Sequence, residues 1–318
     1  MVQEVRNDPL RIVFLGTPGF AATVLRSLYD WPKARITAVV CQPDRPAGRG
    51  CKLLPPAVKD LAIEYDIPVF QPDGLNQKDW SKIASLNPDI FVVTAFGLIV
   101  PLEIIQTAPL GAINVHASLL PKYRGAAPIQ RALQAGEKVT GITIMQMDEG
   151  MDTGDILLQR SLAIGIDDTA ASLHDQLAEM GGNLLVSSLQ NIFEGTYICI
   201  PQDEKLASYA PKLKKKEGRI DWNQPAIQVH NHIRAMHPWP GAFFDWQRTS
   251  DSHPLRLQIY PGQIGLENKR EVSPGTIDGW QGHFLYIACA DRYYLTPRIK
   301  PASGKEITGP QFYHGYLS

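Results

Sequence analysis

Arg11-Ile12-Val13-Phe14-Leu15-Gly16-Thr17-Pro18-Gly19 is the stretch on which the fold turns. An apolar run stops at a glycine turn, and a helical period follows with Phe20, Val24, Leu25 and Leu28 on one side. Strand, glycine turn and helix in that order predict the opening of a parallel α/β sheet. The apolar run 36–41 supplies the next strand. The turn reads Gly-x-x-Gly, not Gly-x-Gly-x-x-Gly, and no acid ends the second strand where a ribose hydroxyl needs one. The pattern therefore argues against a nicotinamide enzyme and for a tight βα turn.

Residues 42–52 follow as Gln-Pro-Asp-Arg-Pro-Ala-Gly-Arg-Gly-Cys-Lys, too rich in Pro and Gly for helix or strand. Arg45, Arg49 and Lys52 stand there against one acid, Asp44. A basic loop at the C-terminal end of a parallel strand lies where such sheets bind ligands. Helices are expected over 56–65, 75–86 and 102–107, and a short strand over 67–70. The clearest buried strand, 89–95, runs into Phe96-Gly97-Leu98-Ile99-Val100-Pro101. Backbone groups at such a strand end can meet the edge of a flat heterocycle.

Pro109-Leu110-Gly111 then breaks the chain, and Ala112-Ile113 leads into Asn114-Val115-His116-Ala117-Ser118-Leu119-Leu120-Pro121-Lys122-Tyr123-Arg124-Gly125. On an extended chain Asn114 and His116, two apart, point the same way. An imidazole moves a proton near neutral pH. A carboxamide NH2 donates to an oxygen that gains negative charge. The missing carboxylate has candidates in Gly150-Met151-Asp152-Thr153-Gly154-Asp155. Around that loop, strands are expected over 141–147 and 156–160, and a helix with Leu173, Leu177 and Met180 inward, continuing through Leu185 and Leu189, closes the first half.

The second half has a different texture. Residues 201–210 are polar and aperiodic, as in a linker, and 211–222 carry five basic residues. A helix is expected over 226–236, with Ile227, His230 and Ile233 at three-residue spacing. Short strands over 242–246, 255–260, 275–277, 284–289 and 293–296 suggest a small barrel or sandwich. At 318 residues, and about 150 per domain, the chain suits two domains. Apolar content of 44% and charged content of 20% suit globular cores. Four scattered cysteines form no Cys-x-x-Cys pair, which argues against zinc ribbons and for a reducing compartment. The first ten residues do not read as a signal peptide, and no apolar run approaches the roughly 20 residues of a membrane span. Residues 1–206 hold 17 Lys and Arg against 23 Asp and Glu, whereas 207–318 hold 14 against 9. A balance of −6 against +5 points to a polyanion partner for the second half.

The combination is more specific than its parts. Asn-x-His-x-Ser-Leu-Leu-Pro at 114–121, Arg124-Gly125, and Met-Asp-x-Gly-x-Asp-Thr-Gly-Asp at 147–155 resemble the 10-formyltetrahydrofolate-dependent formyltransferases. The 42–50 stretch, Arg-Gly-Ala-Ala-Pro-Ile-Gln at 124–130 and Arg-Ile-Asp-Trp at 219–222 are similar to the branch whose members formylate methionine carried on initiator tRNA. The resemblance runs from about residue 11 to about residue 304. It implies an α/β, Rossmann-like parallel-sheet formyltransferase domain over 8–197, a linker over 198–212, and a small mostly-β domain, an OB-like barrel, over 213–318.

It also implies roles. Asn114, His116 and Asp152 take the catalytic positions. Phe96, Gly97, Leu98, Ile99, Ser118, Leu119, Leu120, Pro121, Met147 and Asp148 match the pocket for the formyl donor, 10-formyltetrahydrofolate. Arg45, Arg49 and Lys52 match a loop that enters the tRNA acceptor end, and Lys212, Lys214, Lys215 and Lys216 match a tRNA-holding surface. Cys51 stands where a second lysine is expected, which removes one charge from the loop. The expected partner is initiator methionyl-tRNA, with no metal, no membrane, no obligate protein partner and a bacterial-type cytoplasmic location. A formyltransferase acting on a small amine would share 90–155 but would need neither the basic loop nor the basic second half.

Overall fold

A computed structural model describes residues 8–47, 52–72, 77–247, 253–268, 272–302 and 304–317. Its contacts separate into two compact units. One comprises residues 1–128, 139–163 and 174–210. The other comprises 129–138, 164–173 and 211–318.

The first unit is built on a seven-stranded sheet. In chain order it contains β1 Leu10–Gly16, α1 Gly19–Tyr29, β2 Ala34–Val40, the short β3 Arg45–Ala47 and β4 Lys52–Leu54, α2 Ala57–Glu64, β5 Val69–Phe70, α3 Gln77–Ala84, β6 Ile90–Thr94, α4 Leu102–Ile105 and β7 Ala112–His116. After α5 Pro128–Gln134 come β8 Val139–Gln146, β9 Ile156–Ala163 and α6 Ala170–Glu194. The sheet order is β5-β2-β1-β6-β7-β8-β9. The chain moves outward from β1 to β5, then returns to place β6 on the other side of β1, so loops leaving β1 and β6 diverge and open a crevice. The sheet is not wholly parallel. β8 pairs antiparallel with β7 and with β9, because only the short 147–155 loop joins β8 to β9, and an antiparallel pair needs no helical crossover.

Side-chain parity on β7 sets the stage for the site. Val115 faces the long helix α6, where an ideal Cβ on Gly181 lies 3.0 Å from its Cγ1. That close approach is why a Gly-Gly pair is tolerated mid-helix, despite costing about 1 kcal/mol per glycine. Ala112, Asn114 and His116 share the opposite face. There Ala112 joins a core of Val13, Leu15, Trp80, Ile83, Phe91, Val93, Phe96 and Ile105.

The basic 42–52 segment differs from the expected loop. Arg45–Ala47 pairs antiparallel with Lys52–Leu54. A two-stranded ribbon leaves outward-facing edges, so Pro46 with no N–H fits there. Asp44, at the base, accepts from Lys59 Nζ at 2.8 and 2.9 Å and from Gln71 Nε2 at 2.8 Å. These donors hold its carboxyl below the ordinary range. The one acid of the segment is thus already paired, and Arg45 stays exposed. Arg49 and Cys51 lie outside the described residues.

The second unit is mostly β. It contains α7 Ala226–Met236, β10 Ala242–Trp246, β11 Leu255–Ile259, β12 Gln263–Glu267, β13 Ile277–Gln281, β14 Phe284–Ala288, β15 Arg292–Thr296, β16 Arg298–Pro301, β17 Ile307–Thr308 and α8 Gly309–Tyr316. Two four-stranded antiparallel sheets result, β10-β11-β16-β17 and β12-β15-β14-β13. Of the strands that depart from the sequence pattern, β12 and β13 do so for one reason. β12 contains Gly265 and β13 contains Gly279, and each ladder shifts register at that point, as glycine bulges do. The tail after residue 304, given no role by the sequence, adds β17 and α8, with Phe312 fully buried against Trp246.

The buried face of α7 takes in two of the three spaced residues, His230 and Ile233. Ile227 is 40% exposed, and Val229, Ile233 and Met236 point inward with His230, Asn231 and Arg234. His230 Nε2 lies 2.7 Å from the Ile166 carbonyl and must donate to it, which leaves Nδ1 buried without a partner. Burial is the main cause lowering the pKa of His230, His232 and His237. Arg234 and Arg298 reinforce it at His230 and His237, while Asp167, Glu217 and Glu306 oppose it at the three sites. A histidine with a lowered folded pKa takes up its proton more readily when unfolded. Stability is therefore full above about pH 6.5 and is lost as pH falls through that value. The expected result is a urea midpoint of Trp fluorescence that drops between pH 7 and pH 5. His230→Gln, which keeps a donor for Ile166, should flatten the drop; a midpoint independent of pH would refute the assignment.

Candidate active site

Asn114, His116 and Asp152 meet on one face of β7, at its C-terminal end. Asp152 comes from the 147–155 loop, which starts where Met147 N–H donates to the Ala112 carbonyl and then folds back across that face. Asn114 Nδ2 donates to Asp152 Oδ1 at 3.3 Å, and Asp152 Oδ2 stands 3.6 Å from His116 Nδ1. The latter is a charge contact, too long for a hydrogen bond. Both groups are sheltered, with side-chain exposures of 6% for His116 and 15% for Asp152.

The second nitrogen of His116 fixes the tautomer. Nε2 lies 2.9 Å from the Tyr123 carbonyl, which can only accept. Nε2 therefore carries a proton, and Nδ1 is the nitrogen that faces Asp152. Tyr123 has φ +62, so its carbonyl turns inward. Asp152 Oδ2 accepts from the Gly125 N–H at 2.7 Å. Gly125 has φ +115, and a Cβ there would lie 2.9 Å from the Ala210 carbonyl oxygen, so only glycine fits without rearrangement. Asp152 itself sits in the left-handed region at φ +56. That conformation costs about 1 kcal/mol in a non-glycine residue and is held by Gln202 Nε2, which donates to the Asp152 and Gly154 carbonyls at 2.9 and 2.7 Å.

The expected donor-pocket residues come from three segments along the same face. Phe96 is buried against Trp80, while Leu98 and Met147 pack partly on the same core. Ile99 is 79% exposed. The Phe96 carbonyl is not available to a ligand, because Thr17 Oγ1 and Gln42 Nε2 donate to it at 3.0 and 2.7 Å. Gly97, at φ +78, leaves the space that Gln42 occupies. Leu120 packs with Met145 and Ile156. Ser118 is fully buried and donates to the Lys122 carbonyl at 2.6 Å, so it shapes the 118–122 turn that holds Leu119 and Pro121. Thr143, opposite His116, donates to the Ser118 carbonyl and accepts from Leu120 N and Gln159 Nε2. Asp148 accepts from Gly150 N–H and Thr153 Oγ1 and folds its own loop.

Sequence reasoning missed the brace behind the site. The stretch expected as a linker contributes Ser208, whose Oγ accepts from Tyr123 N–H at 2.9 Å and whose carbonyl accepts from Arg124 N–H at 2.8 Å. Ala210 exchanges two backbone bonds with the 124–127 turn. Arg124, fully buried at its side chain, bonds Gln202 and Glu204.

In the second unit, Leu213 and Ile220 are buried anchors, and Lys212 just before them and Lys214, Lys215 and Lys216 between them are exposed. Glu217 pairs with Arg131 at 2.8 Å, so the acid within the lysine run is already neutralised. Lys215, Lys216, Arg219, Arg256 and Lys300 line an open groove of about 800 Å³ beside Trp239. Lys52 is described at its backbone as part of β4. Among the described residues, no group of three or more His, Cys, Asp or Glu is arranged to hold a metal ion, and no helix is long and apolar enough to cross a membrane.

Comparison with known proteins matches these features to one family. Residues 10–189 match the family described as formyl transferase, and residues 212–317 match the formyl transferase C-terminal domain. A methionyl-tRNA formyltransferase of Nitratidesulfovibrio vulgaris (strain DP4) is 49% identical over 313 residues, covering 98% of this chain and 94% of that protein. One from Pseudomonas fluorescens is 46% identical over 302 residues, covering 95% and 92%. Among solved structures, the N-formyltransferase from Helicobacter canadensis in complex with folinic acid and dTDP-3-aminofucose shares the fold, with a TM-score of 0.65 at 19% identity over 94% of this chain and all of that one. HypX from Aquifex aeolicus in complex with tetrahydrofolic acid gives 0.64 at 18% identity, over 97% of this chain and 48% of that one. The chain belongs to the formyl transferase family, among its methionyl-tRNA formyltransferases.

Proposed function

We propose that this chain transfers the formyl group of 10-formyltetrahydrofolate to the α-amine of methionine on initiator tRNA. The observation that carries the reading is the assembly of Asn114, His116 and Asp152, with one histidine nitrogen committed and the other facing the carboxylate. Partly buried Leu98 and Met147 and exposed Ile99 flank this cluster with apolar surface suited to a flat heterocycle. The donor supplies an activated formyl carbon, and the chain's residues do the rest. Asn114 Nδ2 has two hydrogens, and the bond to Asp152 uses one. The second donates to the formyl oxygen as that oxygen gains charge. His116 Nδ1 takes the proton that the attacking amine must lose and returns it to the departing nitrogen. Asp152 stands beside the imidazolium formed in between and compensates its charge.

For the acceptor, the exposed lysines 212 and 214–216 and the exposed Arg45 of the β3–β4 ribbon offer charge to a polyanion, and the sequence adds Arg49 and Lys52 to the same segment. Purified protein incubated with 10-formyltetrahydrofolate should formylate Met-tRNA and leave free methionine, amino sugars and glycinamide ribonucleotide largely unmodified. Transfer to a small amine at a rate equal to that on Met-tRNA would overturn the acceptor assignment.

A further inference from the structure

Arg124 is an unusual residue to find fully enclosed, since charged side chains are almost never fully buried unless paired. Its side-chain exposure is 0%. We propose that Arg124, Gln202 and Glu204 form a positioning relay that holds the Asp152 carboxylate against His116, and so set the rate of formyl transfer without contributing to binding. The inference rests on the catalytic reading of Asn114, His116 and Asp152.

The relay has a forced polarity. Arg124 Nε and one terminal nitrogen donate to Gln202 Oε1 at 3.1 and 2.8 Å, and its two terminal nitrogens donate to the Glu204 oxygens at 2.9 and 2.7 Å. A guanidinium only donates, so the Gln202 atom facing it must be the oxygen. The amide NH2 then points the other way and spends both hydrogens on the Asp152 and Gly154 carbonyls. Glu204, 69% exposed on its side chain, supplies the counter-charge, and its carboxyl is lowered by the Arg124 hydrogen bonds. With its donors committed in this way, Arg124 is not placed to grip a phosphate.

The backbone of the same residue works in parallel. Tyr123, one position before, holds His116 Nε2, and Gly125, one position after, holds Asp152 Oδ2. One turn therefore fixes both members of the pair, and the Arg124 side chain, through Gln202, fixes the left-handed backbone that aims Asp152. Without Gln202 the loop can relax toward an ordinary φ, and the carboxylate leaves its register with Nδ1. Misplacement by about 1 Å costs up to about a hundredfold in rate.

The test uses the full chain with Met-tRNA. Gln202→Ala and the near-isosteric Gln202→Glu, which sets carboxylate oxygens against two carbonyls, avoid cutting into the buried arginine. Each should lower kcat by about ten- to a hundredfold while both KM values stay within about threefold. In an Asp152→Asn background, Gln202→Ala should cost less than about threefold more, because residues acting through one group are not additive. The ¹⁵N shifts of the His116 ring should move in Gln202→Ala at a temperature where that variant is fully folded. A kcat within threefold of wild type, or an undiminished loss in the Asp152→Asn background, would overturn the relay. Asp152→Asn alone remaining within tenfold of wild type would refute the catalytic reading beneath it, a distinguishable result.

Discussion

His116→Ala should lower the single-turnover rate of formyl transfer by a factor on the order of 10² to 10⁴, the range a positioned proton-transfer group supplies. Donor and tRNA affinities should change little, because the imidazole is sheltered and faces Asp152 rather than a binding groove. Asp152→Asn should also be severe. It keeps the bond from Gly125 N–H but removes the charge beside Nδ1. Asp155→Asn should be mild, since Asp155 engages β8 through its backbone carbonyl, which accepts from Gln146 N–H. A His116→Ala enzyme within tenfold of wild type, measured by rapid quench with saturating donor, removes His116 from the chemistry. A larger loss at Asp155 than at Asp152 means the wrong carboxylate has been chosen.

The division between what local sequence shows and what it hides is physical. The βα turn at 16–19 and the two-residue spacing of Asn114 and His116 are local patterns, and the strand period turns that spacing into a shared face. Asp152 was found by motif, because nothing in a Gly-rich acidic loop says which carboxylate turns inward; the left-handed φ that aims it is set by bonds from Gly125 and Gln202. Gln202, Glu204 and Ser208 lie in a polar, aperiodic stretch, and bonds spanning 50 to 85 residues leave no trace in local period. Arg124 sat inside a recognised motif, yet its inward direction was hidden by the usual exposure of arginine. The pairing of 45–47 with 52–54 is hidden for the opposite reason: the Pro and Gly content of 42–52 signals a loop, while a two-stranded edge tolerates Pro46.

The distribution of charge leads to the second large effect. Binding of Met-tRNA should weaken steeply with salt, because each phosphate neutralised by the chain releases counterions, with a slope near −0.7 to −0.9 per phosphate. Lys212, Lys214, Lys215 and Lys216 are exposed, and the acid within their run is already spent on Arg131. If these four lysines each meet one phosphate, their share alone weakens binding by about 50- to 150-fold between 50 and 200 mM salt. Replacing all four with glutamine should flatten the slope by about three to four and act without base preference, since ammonium–phosphate contacts position rather than specify. Folding should survive, because the buried anchors Leu213 and Ile220 are untouched. Arg49→Ala should behave differently. On the acceptor-end reading it misplaces the reactive amine and lowers kcat as well as affinity. The lysine variant should instead raise KM at unchanged kcat, the mark of lost uniform binding. The measurement is kcat/KM for full-length Met-tRNA at several salt concentrations in wild type and both variants. A wild-type rate independent of salt, with neither variant changed, would separate the basic run from tRNA and leave a small amine as the better acceptor.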